Sequence, residues 1–457
     1  MAKLADSLDV RSPFSGEVVG HVPKGGAAET RAALDAAEAV LLEPLPAHER
    51  ARILDATARL LEERIDDAAR TISEEAGKPL KTARVEAQRA ASTYTFAAVE
   101  ARKLAGDVVP MDASPAGEGK VAFTLRMPIG IVGAISPFNF PLNLVAHKIA
   151  PALAAGCPVV LKPASATPMS AFFLAELERE AGLPDGWLTV IAGPSSEIGD
   201  VLVEDDRVKL ITFTGSGDVG WGIAQRAPRK RVKLELGNAT PAIVCPDAPG
   251  DPAAKLAANA FSFAGQSCIS VQRIFVLAGA WDEFVAAFVP KVEALKVGDP
   301  SDPETDVGPV ISESERDRIL DWIRESKGEL LTGGDTTEDG LIRPTVIASP
   351  AADDKVQCEE IFGPVVTLTR VETLDEAIEQ ANATRYGLQA AIFSRDITEC
   401  LEAARRLEFG GVTVNEAPTF RADQMPYGGV KASGNTKEGP AWSVREMTEE
   451  RLVVLTL

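Results

Sequence analysis

Three stretches in the first hundred residues repeat apolar positions at three- and four-residue spacing among strong helix formers. They are ETRAALDAAEAVL (29–41), HERARILDATARLLEERIDDAARTISEEAG (48–77) and LKTARVEAQRAASTYTFAAVEARKLAG (80–106), and each predicts an amphipathic helix. Beyond residue 106 the pattern changes to short runs of Val, Ile and Leu bounded by Gly, Pro or Asn. GIVGAIS (130–136), PVVLKPA (158–164), WLTVIAG (187–193), VKLITFTG (208–215) and RVKLELGN (231–238) alternate with helical segments such as MSAFFLAELEREAG. Continuous apolar strands separated by helices predict a parallel sheet covered on both faces. A second series follows in TPAIVC (240–245), QRIFVLAG (272–279), PVVTLTRV (364–371) and LQAAIFS (388–394), again with helices between. The chain is therefore expected to be α/β with two sheets, divided near Gly237 and Asn238. KVAFTLRM (120–127) and the terminal MTEERLVVLTL fall outside both series, and these two strands need partners that another subunit could supply.

Composition narrows the classes. The 457 residues carry 67 acidic and 47 basic side chains, a net charge of −20, so no nucleic-acid surface is expected. Hydrophobic residues make up 45% and charged residues 25%, which excludes a largely disordered chain. Residues 127–147 lack any charge and are long enough to span a bilayer, but Pro128, Pro137 and Pro141 interrupt any helix there, so no membrane span is expected. MAKLADSLDV has no apolar core, which argues against a leader peptide. The five cysteines (Cys157, Cys245, Cys268, Cys358, Cys400) form no CxxC pair, and His21, His48 and His147 are scattered. Neither a disulfide framework nor a metal site is expected, and the usage suits a reducing, cytoplasmic setting.

Several residues carry candidate chemistry. Cys268, in the small-residue turn FSFAGQSCISVQR, is either a nucleophile or a buried thiol acting as a small hydrophobe. Glu235 ends the strand of RVKLELGN, where a carboxylate is costly unless used. Gly215-Ser216-Gly217-Asp218-Val219-Gly220 matches GxGxxG between a strand and a helix, so Gly215 and Ser216 are candidates to cradle a pyrophosphate. Glu235 then lies 20 residues beyond Gly215, where a ribose ligand is expected, and competes with its reading as a general base. Asn139, between prolines in SPFNFP, could donate to an oxyanion or merely shape a turn. Lys162 closes the strand of PVVLKPA and could meet a ribose, a phosphate or only solvent.

In combination, ISPFNFPLN, VVLKPA, FTGS, LELGN, GQSC and EEIFGPV, in this order and followed by MPYGGVKASGNTKEGP, resemble the NAD(P)-dependent aldehyde dehydrogenase superfamily over nearly the whole chain. The resemblance implies a Rossmann-type dinucleotide-binding domain over 1–119 and 129–237 and a catalytic domain over 238–415. It also implies an oligomerisation arm over 120–128 and 433–457, whose strands pair across a homodimer or within a homotetramer. It implies Cys268 as the nucleophile and Asn139, with the Cys268 N–H, as the oxyanion site. Glu235 becomes the base that activates water for deacylation. Lys162, Ser216, Glu360 and Phe362 would hold NAD or NADP. Ser165 stands where many NAD-preferring members carry Glu, which leaves NADP unopposed. Asn238 and Ala239 replace the commoner Gly-Lys pair, and SGNTKEG replaces SGxGRE.

For the substrate, His147 occupies a position often held by Trp in members with apolar substrates, and Arg421 lies on the stretch that shapes the substrate entrance. Together with GQSCIS they look most like the lactaldehyde, glycolaldehyde and phosphonoacetaldehyde branch, which implies a small polar or acidic aldehyde. Ser267 replaces the Arg that often precedes the nucleophile in phosphate-gripping members. The rival readings are a CoA-acylating semialdehyde dehydrogenase, opposed by Glu235, and a non-redox cysteine esterase or nucleotide-binding protein on the same fold.

Overall fold

The computed structural model describes residues 7–457, so the first six residues of MAKLADSLDV, on which the reading against a leader peptide rests, lie outside it. A five-stranded sheet of parallel strands runs in the order Leu188–Val190, Val159–Lys162, Ile131–Ile135, Val208–Thr214, Arg231–Glu235. The strand Ile131–Ile135 is central, and the chain winds outward from it in both directions. Such a reversal opens a crevice at the carboxyl ends of the strands. The charge-free stretch that could have spanned a bilayer forms this central strand, a proline-rich loop and the wholly buried helix Asn143–Ala155. No helix among the described residues is long and apolar enough to cross a membrane.

The second sheet has seven strands in the order Glu329–Thr332, Thr345–Ala348, Val365–Val371, Val271–Leu277, Thr240–Val244, Gln389–Phe393, Gly411–Val414. Only Glu329–Thr332 pairs antiparallel, at an edge. Four of these strands coincide with the apolar runs in the sequence. Glu329–Thr332, Thr345–Ala348 and Gly411–Val414 were not foreseen, because each has only four residues and two of them are sheet edges where alternation is weak.

Three further departures have physical reasons. A hairpin of Ser7–Arg11 and Val18–Pro23 precedes the helices, where the sequence pattern shows only helix. The long helical stretch splits at Arg64 (φ −119°) into Ala47–Glu63 and Ile65–Ala76. The two strands outside the main sheets need no second subunit for a partner. Thr448–Thr456 pairs antiparallel with Lys120–Pro128 in one unbroken register, and Val108–Val109 adds on the other side. Of the segment expected as an arm, residues 433–447 lie against the first sheet instead. Gly434 bridges to Glu235, and the helix Pro440–Glu446 packs on the helix Asn143–Ala155.

Candidate active site

The residues singled out in the sequence converge because the two sheets meet end to end. Asn139 follows the strand Ile131–Ile135, Lys162 ends Val159–Lys162, Gly215 and Ser216 follow Val208–Thr214, and Glu235 ends Arg231–Glu235. These are all carboxyl ends. The second sheet offers the amino ends of its strands, with Cys268 just before Val271–Leu277 and Glu360 and Phe362 just before Val365–Val371. A cleft of about 340 Å³ is lined by Asn139, Gly215, Ser216, Glu235, Glu360 and Phe362, with Cys268 on its wall. Cys268 also lines a second cavity of about 170 Å³, whose polar walls include Arg89, Asn143, Ser267 and Arg421. The thiol thus stands where the larger cleft and a smaller, partly polar chamber join.

The turn that presents Cys268 is strained. Phe263 (φ 50°) and Ala264 (φ 51°) both adopt the left-handed conformation, at about 1–3 kcal/mol each. Phe263 is held under Lys78, whose Nζ lies 4.5 Å from its ring centroid and 3.8 Å from that of Phe140. The same Nζ donates to the Asn139 carbonyl at 2.6 Å and pairs with Glu86. Glu86 in turn accepts from the N–H groups of Leu142 (3.0 Å) and Asn143 (3.1 Å), which satisfies the start of the helix Asn143–Ala155. This buried pair therefore ties both turns together. Removing one member of such a pair costs ~3–5 kcal/mol.

Asn139 is 3% exposed, and its Nδ2 donates to the Gln266 carbonyl at 3.0 Å. An amide nitrogen has two N–H groups, so one remains for an oxyanion. The Cys268 N–H has no partner among the described residues and is a second donor of that kind. Desolvation pushes the Cys268 thiol up to about 12, against the Tyr427 hydroxyl 2.8 Å from Sγ.

Glu235 is 4% exposed, and neither carboxylate oxygen has a hydrogen-bond partner. Burial raises its pKa well above the ordinary glutamate range, and the charge of Glu438 adds to this. Glu438 is buried too, but Lys148 (3.4 Å) and Arg421 (3.0 Å) hold its pKa down to about 2. The surroundings thus keep Glu438 charged and favour the neutral form of Glu235, and pushing two carboxyl pKa values apart in this way is what separates acid and base roles. Gly428 makes room for it: a Cβ there would lie 2.6 Å from Glu235 Oε1 and 2.0 Å from the Thr436 carbonyl.

The candidate cofactor residues are placed unevenly. Ser216 caps the ten-residue helix Gly217–Arg226 without using its side chain, which leaves a hydroxyl and the start of a helix, a kind of site that suits phosphate, at the cleft wall. Glu360 accepts from the Asn238 N–H at 2.8 Å, and desolvation brings its pKa up to about 7. Gly237 leaves room for this carboxylate, since a Cβ there would stand 2.2 Å from Glu360 Oε2 and push it aside. Phe362 shares the cleft and packs edge-on against Phe138. Lys162 and Ser165 do not line the cleft, although Ala164 between them does. Lys162 donates to the Pro163 carbonyl at 3.1 Å and Ser165 to that of Gly193 at 3.2 Å. These groups fit a nicotinamide dinucleotide.

At the substrate end the structure corrects one expectation. His147 does not line the chamber. It lies fully buried behind it, with Nε2 3.1 Å from Asp423 and 3.3 Å from Arg421. Burial and the Arg421 charge lower its pKa, so it is a neutral support. Arg421 does line the chamber, with its guanidinium 3.8 Å above the Tyr427 ring. Ser267 lines it too, accepting from the Ile269 N–H.

Sequence reasoning missed Arg89, Lys148, Tyr427, Glu438 and the Lys78–Glu86 pair. Tyr427 and Glu438 lie within the quoted MPYGGVKASGNTKEGP and Lys148 directly after His147, so the signal was present without a role. Arg89 sits on the long helix Leu80–Lys103 among other charges, where nothing local distinguishes it. Asn238, replacing the commoner Gly, is a pin: its Nδ2 donates to Thr240 (2.8 Å) and to the Gln389 carbonyl (3.1 Å).

Comparison with known proteins agrees with this geometry. The model of the aldehyde dehydrogenase family matches residues 2–453. A 3-sulfolactaldehyde dehydrogenase from Priestia aryabhattai is 42% identical over 99% of this chain and 96% of its own length. The structure of an aldehyde dehydrogenase from Physcomitrella patens in complex with the reaction product succinate superposes with a TM-score of 0.95, at 39% identity, over 100% of this chain and 96% of that one. That of a glyceraldehyde-3-phosphate dehydrogenase from Methanocaldococcus jannaschii, complexed with NADP, gives 0.94 at 38% identity over 99% of each chain. A thiol at the junction of two cavities, a raised carboxyl beside it and a match along almost every residue lead to one conclusion: the chain belongs to the aldehyde dehydrogenase family.

Proposed function

We propose that the protein oxidises small anionic aldehydes to carboxylic acids with NAD or NADP, using Cys268 as nucleophile and Glu235 as the base for deacylation. The observation that carries the reading is the position of Cys268 between a cleft suited to a dinucleotide and a chamber walled by two guanidinium groups. Arg89 Nε and Arg421 Nε are both buried without a hydrogen-bond partner, so each guanidinium has a donor left for a ligand. The named relatives act on, or hold, compounds bearing a sulfonate, carboxylate or phosphate. An aldehyde with an anionic group at its far end fits that chamber.

In the mechanism this implies, the Cys268 sulfur attacks the carbonyl carbon and the oxyanion of the thiohemiacetal is held by Asn139 Nδ2 and the Cys268 N–H. A bound nicotinamide dinucleotide supplies the two-electron acceptor that turns this adduct into a thioester. Glu235 takes a proton from water as the water attacks the thioester carbon, and sulfur leaves as the acid forms. Its unpartnered oxygens suit that role, whereas Glu360 is already engaged by Asn238. Water as acceptor, rather than coenzyme A, follows from the presence of this base.

The test is absorbance at 340 nm with succinic semialdehyde, 3-sulfolactaldehyde, lactaldehyde and hexanal, each with NAD and NADP. Turnover favours the charged aldehydes. Arg89→Met raises KM for them by ~10–100-fold, the worth of a hydrogen bond to a charged group, and leaves lactaldehyde nearly unchanged. A preference for hexanal, or equal effects on all four, overturns the anionic assignment.

We also assign a homo-oligomer, a dimer or tetramer, built on the small sheet. Leu452 (57% exposed), Val454 (45%) and Leu455 (46%) leave an apolar edge strand open, which proteins seldom leave uncovered. Light scattering should give two or four times the chain mass; a monomer at micromolar concentration contradicts it. Free cysteines throughout suit a cytoplasmic setting.

A further inference from the structure

Tyr427 is the only side chain within hydrogen-bond reach of the sulfur of Cys268 among the described residues, with its hydroxyl 2.8 Å from Sγ. It is buried to 3% exposure and fixed from three sides. Its N–H donates to the Glu438 carbonyl at 2.9 Å, and the Glu438 N–H donates back to the Tyr427 carbonyl. The Arg421 guanidinium lies over its ring at 3.8 Å, and Ile269 and Leu388 pack around it. A phenol held this firmly has little freedom to point elsewhere, and the mechanism above leaves it without a task.

We propose that Tyr427 is a further catalytic residue, whose hydroxyl donates a hydrogen bond to the Cys268 thiolate and keeps that anion available in an otherwise desolvated cleft. The phenol keeps its own proton: burial raises its pKa well above the usual tyrosine range, so it remains a donor wherever the enzyme works. The proton lost by the thiol goes to water of the cleft, and the O–H to S⁻ bond replaces the hydration that burial removes. The charged groups facing the sulfur act in both directions. Glu360 and Glu235 disfavour the thiolate, Arg421 favours it, and Tyr427 adds the one direct hydrogen bond. A donor to the charged form lowers the thiol pKa, so its removal must raise it.

The inference rests on Cys268 being the nucleophile. Its test is the pH dependence of Cys268 alkylation by iodoacetamide in the full-length protein, read by mass spectrometry of the Cys268 peptide. Tyr427→Phe keeps the ring and its stack with Arg421, so dinucleotide affinity and melting temperature should match the parent and serve as the check on folding. The alkylation profile is expected to move upward by about one pH unit, with a tenfold slower reaction on the rising limb. The thiolate absorbance near 240 nm should move with it. An unmoved profile in a folded variant overturns the role of the hydroxyl. If the variant folds poorly, the 240 nm titration of the parent decides. A thiol that ionises above the ordinary cysteine range, the direction in which burial pushes it, contradicts a stabilising donor, and a midpoint at or below that range supports it. Turnover retained in Cys268→Ala would instead defeat the nucleophile reading, a separate outcome.

Discussion

Cys268→Ala abolishes aldehyde oxidation, with turnover falling by about four orders of magnitude or more, while dinucleotide binding persists. The reasoning is positional. Cys268 alone among the cysteines lines either cavity. Cys157, Cys245 and Cys400 are enclosed in the apolar cores, and Cys358 turns its sulfur toward the Asp353 carbonyl. No other thiol can take over the covalent step, and residues that act as a catalytic unit lose nearly everything with one member. The cleft walls formed by Ser216, Glu360 and Phe362 are untouched, so quenching of tryptophan fluorescence by the dinucleotide should titrate as in the parent. Turnover above roughly one per cent of the parent rate would place the nucleophile elsewhere. Lost binding would mean that the alanine had disturbed the strained Phe263–Gly265 turn.

Glu235→Gln should separate the two halves of the reaction. The amide keeps the shape of a buried group with no hydrogen-bond partner, but it cannot accept a proton from water. A general base contributes ~10²–10⁴-fold, so deacylation should slow by that factor while formation of the thioester is little changed. Stopped-flow absorbance at 340 nm then shows a burst of reduced dinucleotide approaching one equivalent per site, followed by a slow phase. A linear trace limited by the first turnover would remove Glu235 from deacylation. The pH dependence has a definite sign. Burial and the Glu438 charge favour the neutral form, so Glu235 ionises later than a free glutamate. Deacylation in the parent therefore rises with pH until Glu235 is charged, and the variant should lack that limb.

Much of this fold is legible in the sequence, for identifiable reasons. Buried parallel strands are continuous apolar runs, so all five strands of the first sheet were visible, and functional residues at their carboxyl ends came with them. The four-residue strands at the margins of the second sheet carry too few positions for a period to show. The pairing of Thr448–Thr456 with Lys120–Pro128 joins segments more than three hundred residues apart, a separation no local pattern encodes. The family resemblance puts His147 at the pocket wall, at a position often held by Trp. One turn of helix decides otherwise, since Leu144 reaches the chamber and His147 points behind it. Arg89, Lys148 and Glu438 were illegible as a set, because their meaning lies in the charges they face across elements.

Arg421 shows what this sharing of partners means for change over time. One guanidinium lines the chamber, neutralises Glu438, stacks on Tyr427 and touches His147. A substitution of Arg421 would therefore alter the chamber wall and the surroundings of Glu438 and Tyr427 together. Arg89, 23% exposed, meets the same network at one remove: the Asp423 oxygen it pairs with also lies 3.1 Å from His147 Nε2. The chamber's two guanidinium groups thus answer to one set of buried partners, and a change at either would be felt at the other.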